Sequence, residues 1–345
     1  MSNNANSELA DIIGWDIGGA NLKAARWQVD GWQVAQQPFA VWQRRDELAA
    51  AIAGMAARLG PATRAAVTIT AELSDAFRTK REGINFVLEA LQSALPAAKL
   101  HVFGLDGCFH DVETAKANPM LVAAANWLAT ALVVARRQPD CLLVDVGSTT
   151  TDIVPIKGGQ VVAQGRNDPE RLSWGELVYT GVLRTPLFGI VSRAPLWGRW
   201  CGVAAELFAT AQDVHLLLGH LPAEQCTSPS ADGRPVTPEF AAERLARLVC
   251  ADREMLSQDD IQTMARFIAD SQVQQVTTAL SQVISASGVR GPLVVVGVGA
   301  FLVELAAARL GLACLRPADF LSDQAAAVAP AAAVALLCRD ELARV

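Results

Sequence analysis

Apolar residues in this chain fall into short continuous runs that stop at an aspartate and longer stretches with a three-to-four-residue period. The run Ile12-Ile13-Gly14-Trp15 stops at Asp16, continues through Ile17 to Gly18 and Gly19, and resumes after Asn21 as Leu22-Lys23-Ala24-Ala25. The run Cys141-Leu142-Leu143-Val144 stops at Asp145, passes through Gly147, Ser148, Thr149 and Thr150, and resumes as Thr151-Asp152-Ile153-Val154. Each predicts a buried strand, a tight turn and a second strand. A third run, Leu293 to Val296, enters Gly297 and Gly299 and then an apolar helix start.

Strands are also predicted over 65–70, 100–105 and 160–164. Helical periodicity covers 45–59, stopped by Gly60-Pro61, and 120–136, opened by Asn118-Pro119. Further helices are predicted over 206–218, 238–255, 262–287 and 323–338, with a Pro/Gly/Ser-rich surface excursion at 228–238. Asn126 would lie in the middle of the 120–136 helix, where its amide needs a partner, either a core hydrogen bond or a ligand.

The candidate chemistry collects at the turns. Backbone N–H groups and hydroxyls around Gly147, Ser148, Thr149 and Thr150, and around Gly18, Gly19, Asn21 and Lys23, can hold phosphate oxygens, with Asp16 and Asp145 placed to hold a divalent cation. The same residues would also serve as polar hairpins, and Gly297 and Gly299 as a turn needed only for close packing. After the strand at 65–70, Arg78, Lys80 and Arg81 offer three cations, with Arg78 and Arg81 spaced to share a helix face; a solvated charged turn has the same composition. The segment 171–186 joins Glu176, the only tyrosine (Tyr179) and Arg184 between glycines and a proline, an inventory suited to touching substrate. His215 reads as structural, because Asp213 and His215, two apart, point to different sides of a helix.

Composition narrows the function classes. The 345 residues carry 52% hydrophobic and 19% charged side chains at net charge −6, without a basic stripe, which argues against nucleic-acid binding. Seven cysteines lack C-x-x-C spacing and read as buried thiols of a reducing compartment. Met1 to Leu9 is polar, without a basic region followed by an apolar run, and the apolar stretch 121–135 is too short to span a bilayer. A cytoplasmic protein without membrane attachment is the expectation.

The paired Asp-turn hairpins and the Gly297–Gly299 turn resemble the acetate kinase/sugar kinase/Hsp70/actin superfamily. That resemblance implies a two-lobed α/β fold, a duplicated ribonuclease H-like architecture with a central cleft. The lobes would cover 1–138, completed by the helix 323–345, and 139–322. The runs W-D-I-G-G-A-N-L-K-A-A (15–25), T-A-E-L-S-D-A-F-R-T-K-R-E-G (70–83), N-W-L-A-T (126–130), D-V-G-S-T-T-T-D-I-V-P-I (145–156), G-E-L-V-Y-T-G-V-L-R-T-P (175–186) and F-A-T-A-Q-D-V (208–214) resemble, more closely, a hydantoinase A/oxoprolinase-related family. That family is associated with tetrahydromethanopterin-linked one-carbon transfer, and its archaeal members are similar to a synthase of methanofuran biosynthesis.

The resemblance implies a transferase that joins a furfuryl diphosphate to a tyrosine- or tyramine-derived phenol, making a methylofuran-type cofactor and releasing diphosphate. Mg2+ on Asp16 and Asp145 would neutralise the leaving group, with Arg78, Lys80, Arg81, Asn126 and Tyr179 toward substrate. Asp152 or Glu176 would take the phenol proton, and Arg184 would complete the catalytic set. Ala20-Asn21 replaces the threonine common in the superfamily's kinases, which puts ATP chemistry in doubt. An ATP-dependent kinase or hydrolase of the oxoprolinase type, and a non-catalytic nucleotide-binding protein, stay open as alternatives. A homodimer is carried as the assembly expectation, although no pattern of residues sets the oligomeric state.

Overall fold

The structure, a computed structural model, describes residues 11–28, 31–317 and 321–344. The reading of Met1 to Leu9 falls outside them. The chain divides into two units, one made of 1–141, 156–168 and 316–345, the other of 142–155 and 169–315.

In the first unit β1 (Ile12–Gly18), β2 (Asn21–Gln28), β3 (Gly31–Pro38), β4 (Arg64–Thr70), β5 (Lys99–Phe103) and β6 (Phe109–His110) form one sheet in the order β3-β2-β1-β4-β5-β6. β1 runs antiparallel to β2 and parallel to β4, and β4 runs parallel to β5. Alternation along the strands sends Ile13, Trp15 and Ile17 of β1 and Ala65, Val67 and Ile69 of β4 into one core with Ile52, Met55, Val87 and Leu88 of the helices Leu48–Leu59 and Lys80–Ala94. Gly14 faces the other way, where a Cβ would lie 1.9 Å from the Ala331 carbonyl oxygen. The alanine-rich helix Ala329–Leu342 can approach β1 this closely only over a residue with no side chain.

The second sheet contains β7 (Cys141–Val146), β8 (Thr151–Lys157), β9 (Gln160–Val161), β10 (Leu177–Val178), β13 (Leu293–Val296) and β14 (Cys314–Leu315). Its order is β10-β8-β7-β13-β14, with β9 beside β8 and a separate hairpin of β11 (Arg193–Leu196) and β12 (Arg199–Gly202). β7, β13 and β14 are parallel. Two antiparallel-type neighbours on one side of a first strand and two parallel ones on the other thus occur twice in this chain. This repeated order is the duplicated ribonuclease H-like, actin-type fold that the paired hairpins imply.

Long-range pairing breaks several predicted elements. The helix expected over 120–136 is split into Pro119–Val122 and Asn126–Ala135, with Ala124 at φ 51°. Ala123 forms a bridge with Ile69 and the Ala124 amide donates to the Ile69 carbonyl at 2.9 Å, so the sheet edge pulls this stretch extended. Residues 206–210 are non-helical for the same reason: Thr210 bridges Pro186, and only Ala211–Leu217 coils. The 238–255 helix stops at Arg247 before Cys250, at φ 56°, and the 323–338 helix is two pieces, Asp323–Ala326 and Ala329–Leu342. Cys108 and Cys250 are exposed, not buried. Among the described residues no helix is long and apolar enough to cross a membrane.

Candidate active site

The turn after β7 is tied down from several sides. The Gly147 amide donates to the Thr150 carbonyl at 2.9 Å, closing the turn. The 181–185 segment is fastened to it: the Val182 amide donates to the Gly147 carbonyl at 3.1 Å, and the Leu183 and Arg184 amides donate to the Ser148 carbonyl at 3.1 and 2.9 Å. Arg184 Nη1 also reaches Thr149 Oγ1 at 3.5 Å. From the other side, the Gly299 amide donates to the Val146 carbonyl at 2.9 Å. Gly297, at φ 87°, lies so close to Asp145 that a Cβ there would meet its Oδ1 at 2.4 Å. Two segments far apart in sequence, 181–185 and 297–299, therefore converge on the stretch from Asp145 to Thr150.

Gly181 is required by this convergence, since a Cβ on it would sit 2.5 Å from the Thr149 amide nitrogen and 2.6 Å from the Ser148 carbonyl carbon. Backbone cannot swing aside as a side chain can. Gly181→Ala is expected to destabilise the protein by about 1–3 kcal/mol, the usual penalty of overpacking. Gly189→Ala, with open space around its Cβ, should change little. Urea unfolding of the two variants side by side measures the difference.

Beneath the 180–181 backbone runs a buried polar line. Gln272 Nε2 donates to Thr180 Oγ1 and to the Gly181 carbonyl, both at 2.9 Å, while its Oε1 lies 2.8 Å from His215 Nε2. Burial pushes the His215 imidazole down to about 4, so it is neutral near pH 7. Oε1 can only accept, so His215 carries its proton on Nε2 and fixes the orientation of the Gln272 amide. His215 is structural, as its spacing suggested, and Gln272 had no local signal at all.

In the first unit Asp16 is buried on β1, opposite Lys23 on β2. Lys23 Nζ is 3.7 Å from Asp16 Oδ2, and Thr70 Oγ1 at the end of β4 is 3.5 Å from Oδ1. Gly18 allows the tight reversal, since a Cβ would fall 2.7 Å from the Asn21 carbonyl oxygen; Gly19 lends its own carbonyl to the Val41 amide.

The other candidates are placed as follows. Asp152 Oδ1 receives a hydrogen bond from Arg171 Nη1 at 2.7 Å, and Arg171 Nη2 donates to the Glu176 carbonyl at 2.8 Å, a buried knot that ties β8 to β10. Tyr179 is 67% exposed. Asn126 stands at the first position of its helix instead of the middle, with its carbonyl accepting from Thr130 Oγ1. Arg78 and Arg81 do not share a helix face, because the helix begins at Lys80 behind the Thr79 cap. Lys80 Nζ lies 2.7 Å from Asp168 Oδ2 and 3.2 Å from Glu72 Oε1. Sequence reasoning missed both carboxylates.

Among the described residues no three His, Cys, Asp or Glu side chains gather as a ligand set. Mg2+ asks for less, since it is commonly held by one or two carboxylates with water and substrate phosphate oxygens. Asp145 is placed for that role, next to a turn of hydroxyls and amides, and a side chain on Gly297 would fill the space against its Oδ1.

The match to known proteins covers most of the chain. Residues 63–341 match the Hydantoinase/oxoprolinase family model. A "(4-{4-[2-(gamma-L-glutamylamino)ethyl]phenoxymethyl}furan-2-yl)methanamine synthase" of Methanocaldococcus jannaschii is 37% identical over 251 residues, 72% of this chain and 74% of the relative. A protein of the same name from Methanococcus vannielii is 36% identical over 121 residues, 35% of this chain and 54% of its own length. Among solved structures, nucleotide-free acetone carboxylase superposes at TM-score 0.50 and 12% identity, over 91% of this chain and 51% of that one, a likeness that bears on fold alone. With the family model spanning the turn after β7, the 181–185 segment and the Gly297–Gly299 turn, this chain belongs to the hydantoinase/oxoprolinase family.

Proposed function

We propose that the chain is a cytoplasmic transferase that forms an aryl ether between a furfuryl diphosphate and a tyramine- or tyrosine-derived phenol, releasing diphosphate in the assembly of a methanofuran-type cofactor. The observation that carries this is the relative at 37% identity, whose name contains a phenoxymethyl-furan, the linkage such a reaction makes. The geometry supports it. A furfuryl carbon bears positive charge well, so the protein chiefly has to hold the departing diphosphate and align the phenol oxygen with the methylene carbon.

The turn of Gly147, Ser148, Thr149 and Thr150 offers hydroxyls and backbone to phosphate oxygens, pinned in place by 181–185 and 297–299. Gly18, Gly19, Asn21 and Lys23 are the corresponding turn of the first unit. Asp145 would hold Mg2+, which when bound would supply charge neutralisation at the leaving diphosphate, and Asp16 holds the corresponding place in the first unit. Arg184 adds a fixed fork of donors beside Thr149.

The test is direct. Purified protein is incubated with a furfuryl diphosphate, tyramine or γ-glutamyltyramine and Mg2+, and the ether and released diphosphate are quantified by mass spectrometry. No ether, together with ATP cleavage and a calorimetric affinity for ATP, would replace this reading with the ATP-dependent one. Within it, Arg184→Ala is expected to slow ether formation at least tenfold more than Tyr179→Phe. Arg184 is bonded to the turn, whereas Tyr179 is largely exposed and offers a ring that phenylalanine also supplies. Steady-state rates with Tyr179→Phe the slower variant would reverse these roles.

A further inference from the structure

Glu72 leaves β4 two residues after Thr70, and β4 is parallel to β1 with Thr70 paired to Gly18. It therefore emerges at the same end of the sheet as the Gly18–Asn21 turn, the end where open α/β sheets place ligands. Its side chain is 2% exposed and its backbone is gripped, since a Cβ on Gly83 would meet the Glu72 carbonyl oxygen at 2.5 Å. Of its two oxygens, Oε1 lies 3.2 Å from Lys80 Nζ, but the buried Oε2 accepts no hydrogen bond among the described residues. A carboxylate buried only for structure has both oxygens satisfied, as native interiors almost always arrange. This one keeps an acceptor in reserve.

The charges around it sharpen the point. Lys80 divides its ammonium between Asp168 at 2.7 Å and Glu72 at 3.2 Å. Burial works against its charge, but the two carboxylates outweigh it and hold its proton more firmly than usual. Glu72 has the longer share of that cation and the deeper burial. Burial therefore dominates and raises its proton affinity, with Lys80 opposing and Asp168 adding to the rise.

We propose that Glu72 is the general base of the reaction, accepting the phenol proton on Oε2 while Lys80, itself anchored by Asp168, holds its carboxylate in place. In this step the phenol oxygen bonds to the furfuryl methylene carbon as the carbon–oxygen bond to diphosphate breaks. The phenol proton passes to Glu72 Oε2 and leaves to solvent before the next turnover. The assignment rests on the ether-forming reading above, and it explains the proton without calling on Asp152, whose carboxylate is engaged by Arg171.

Glu72→Gln keeps the shape and removes the base. The expected result is a kcat loss of roughly 100-fold or more, in the range general bases contribute. Affinity for inorganic diphosphate, measured calorimetrically, should stay within about threefold of wild type, because general acid–base groups act on the proton and not on the leaving group. The wild-type rise of kcat with pH should disappear. A ring-fluorinated tyramine, whose phenol gives up its proton more readily, should recover part of the loss, which a purely structural role for Glu72 would not allow.

Glu72→Asp, a carboxylate set back by one methylene, should retain the pH dependence at reduced rate and serves if the glutamine variant folds poorly. Near wild-type kcat in Glu72→Gln, or an equal deficit with the fluorinated and plain acceptors, would overturn the assignment alone. No ether from the wild-type chain would overturn the reaction and this role together.

Discussion

Asp145→Asn should reduce ether formation on the order of 100-fold or more, and Asp16→Asn by a similar factor, since roughly 1.4 kcal/mol of lost transition-state stabilisation is tenfold. Both carboxylates lie one or two residues before the end of a buried strand, at the mouth of a turn able to receive phosphate oxygens. Asparagine preserves size and can still present an oxygen, so the fold should survive. What disappears is one negative charge, and a hard cation such as Mg2+ depends on that charge. The effect should show first in the cation: calorimetric titration of Mg2+ with diphosphate should weaken in each variant before any turnover is measured. The double variant reads whether the two carboxylates act on one ion, because effects on a shared partner fail to add. Wild-type rates and Mg2+ affinity in either single variant would remove that residue from the proposal.

Arg244→Met should destabilise the second unit by about 3–5 kcal/mol, the usual consequence of stripping one partner from a buried ion pair. Arg244 is fully buried, with Nε and Nη2 donating to Asp213 Oδ1 at 2.9 and 2.6 Å and Nη1 donating to Asp232 Oδ1 at 3.2 Å. Asp213, equally buried, also accepts the Thr210 amide at 3.0 Å and so caps the helix Ala211–Leu217. Methionine fills the space but leaves the Asp213 charge enclosed and unopposed. The helix that would loosen carries His215, which orients Gln272 under Gly181, so the turn at 147–150 should loosen with it. Adding Asp213→Asn removes the stranded charge while keeping an oxygen for the Thr210 amide, and should restore most of the loss. Denaturant unfolding followed by tryptophan fluorescence compares the variants, with Trp200, packed 5.3 Å from Phe267, reporting from this unit. A midpoint unchanged in Arg244→Met would contradict the argument.

The sequence by itself determined the strands that carry Asp16 and Asp145 near their ends, the glycine and hydroxyl turns behind them, and their duplication. Each of these is written in a few consecutive residues, because buried strands need unbroken apolar runs and tight turns need glycine. The structure alone decided which side chains meet across long separations. Lys80 and Asp168 are 88 residues apart, Gln272 and Gly181 are 91 apart, and Arg244 reaches Asp213 over 31. Nothing near Arg244 in sequence separates it from Arg247, yet one is fully buried and the other faces solvent. Pairing likewise overrode local propensity at Ala123, where a bridge to Ile69 broke an otherwise continuous apolar helix and moved Asn126 to a helix start. Glu72 was hidden most completely. In the sequence it belongs to a charged run that reads as solvated surface, and only the close approach of Gly83 and the placement of Lys80 enclose it. Periodicity reports the face a residue occupies within its own element; burial, charge compensation and an unmatched oxygen depend on what packs against that face, which is settled only when distant segments come together.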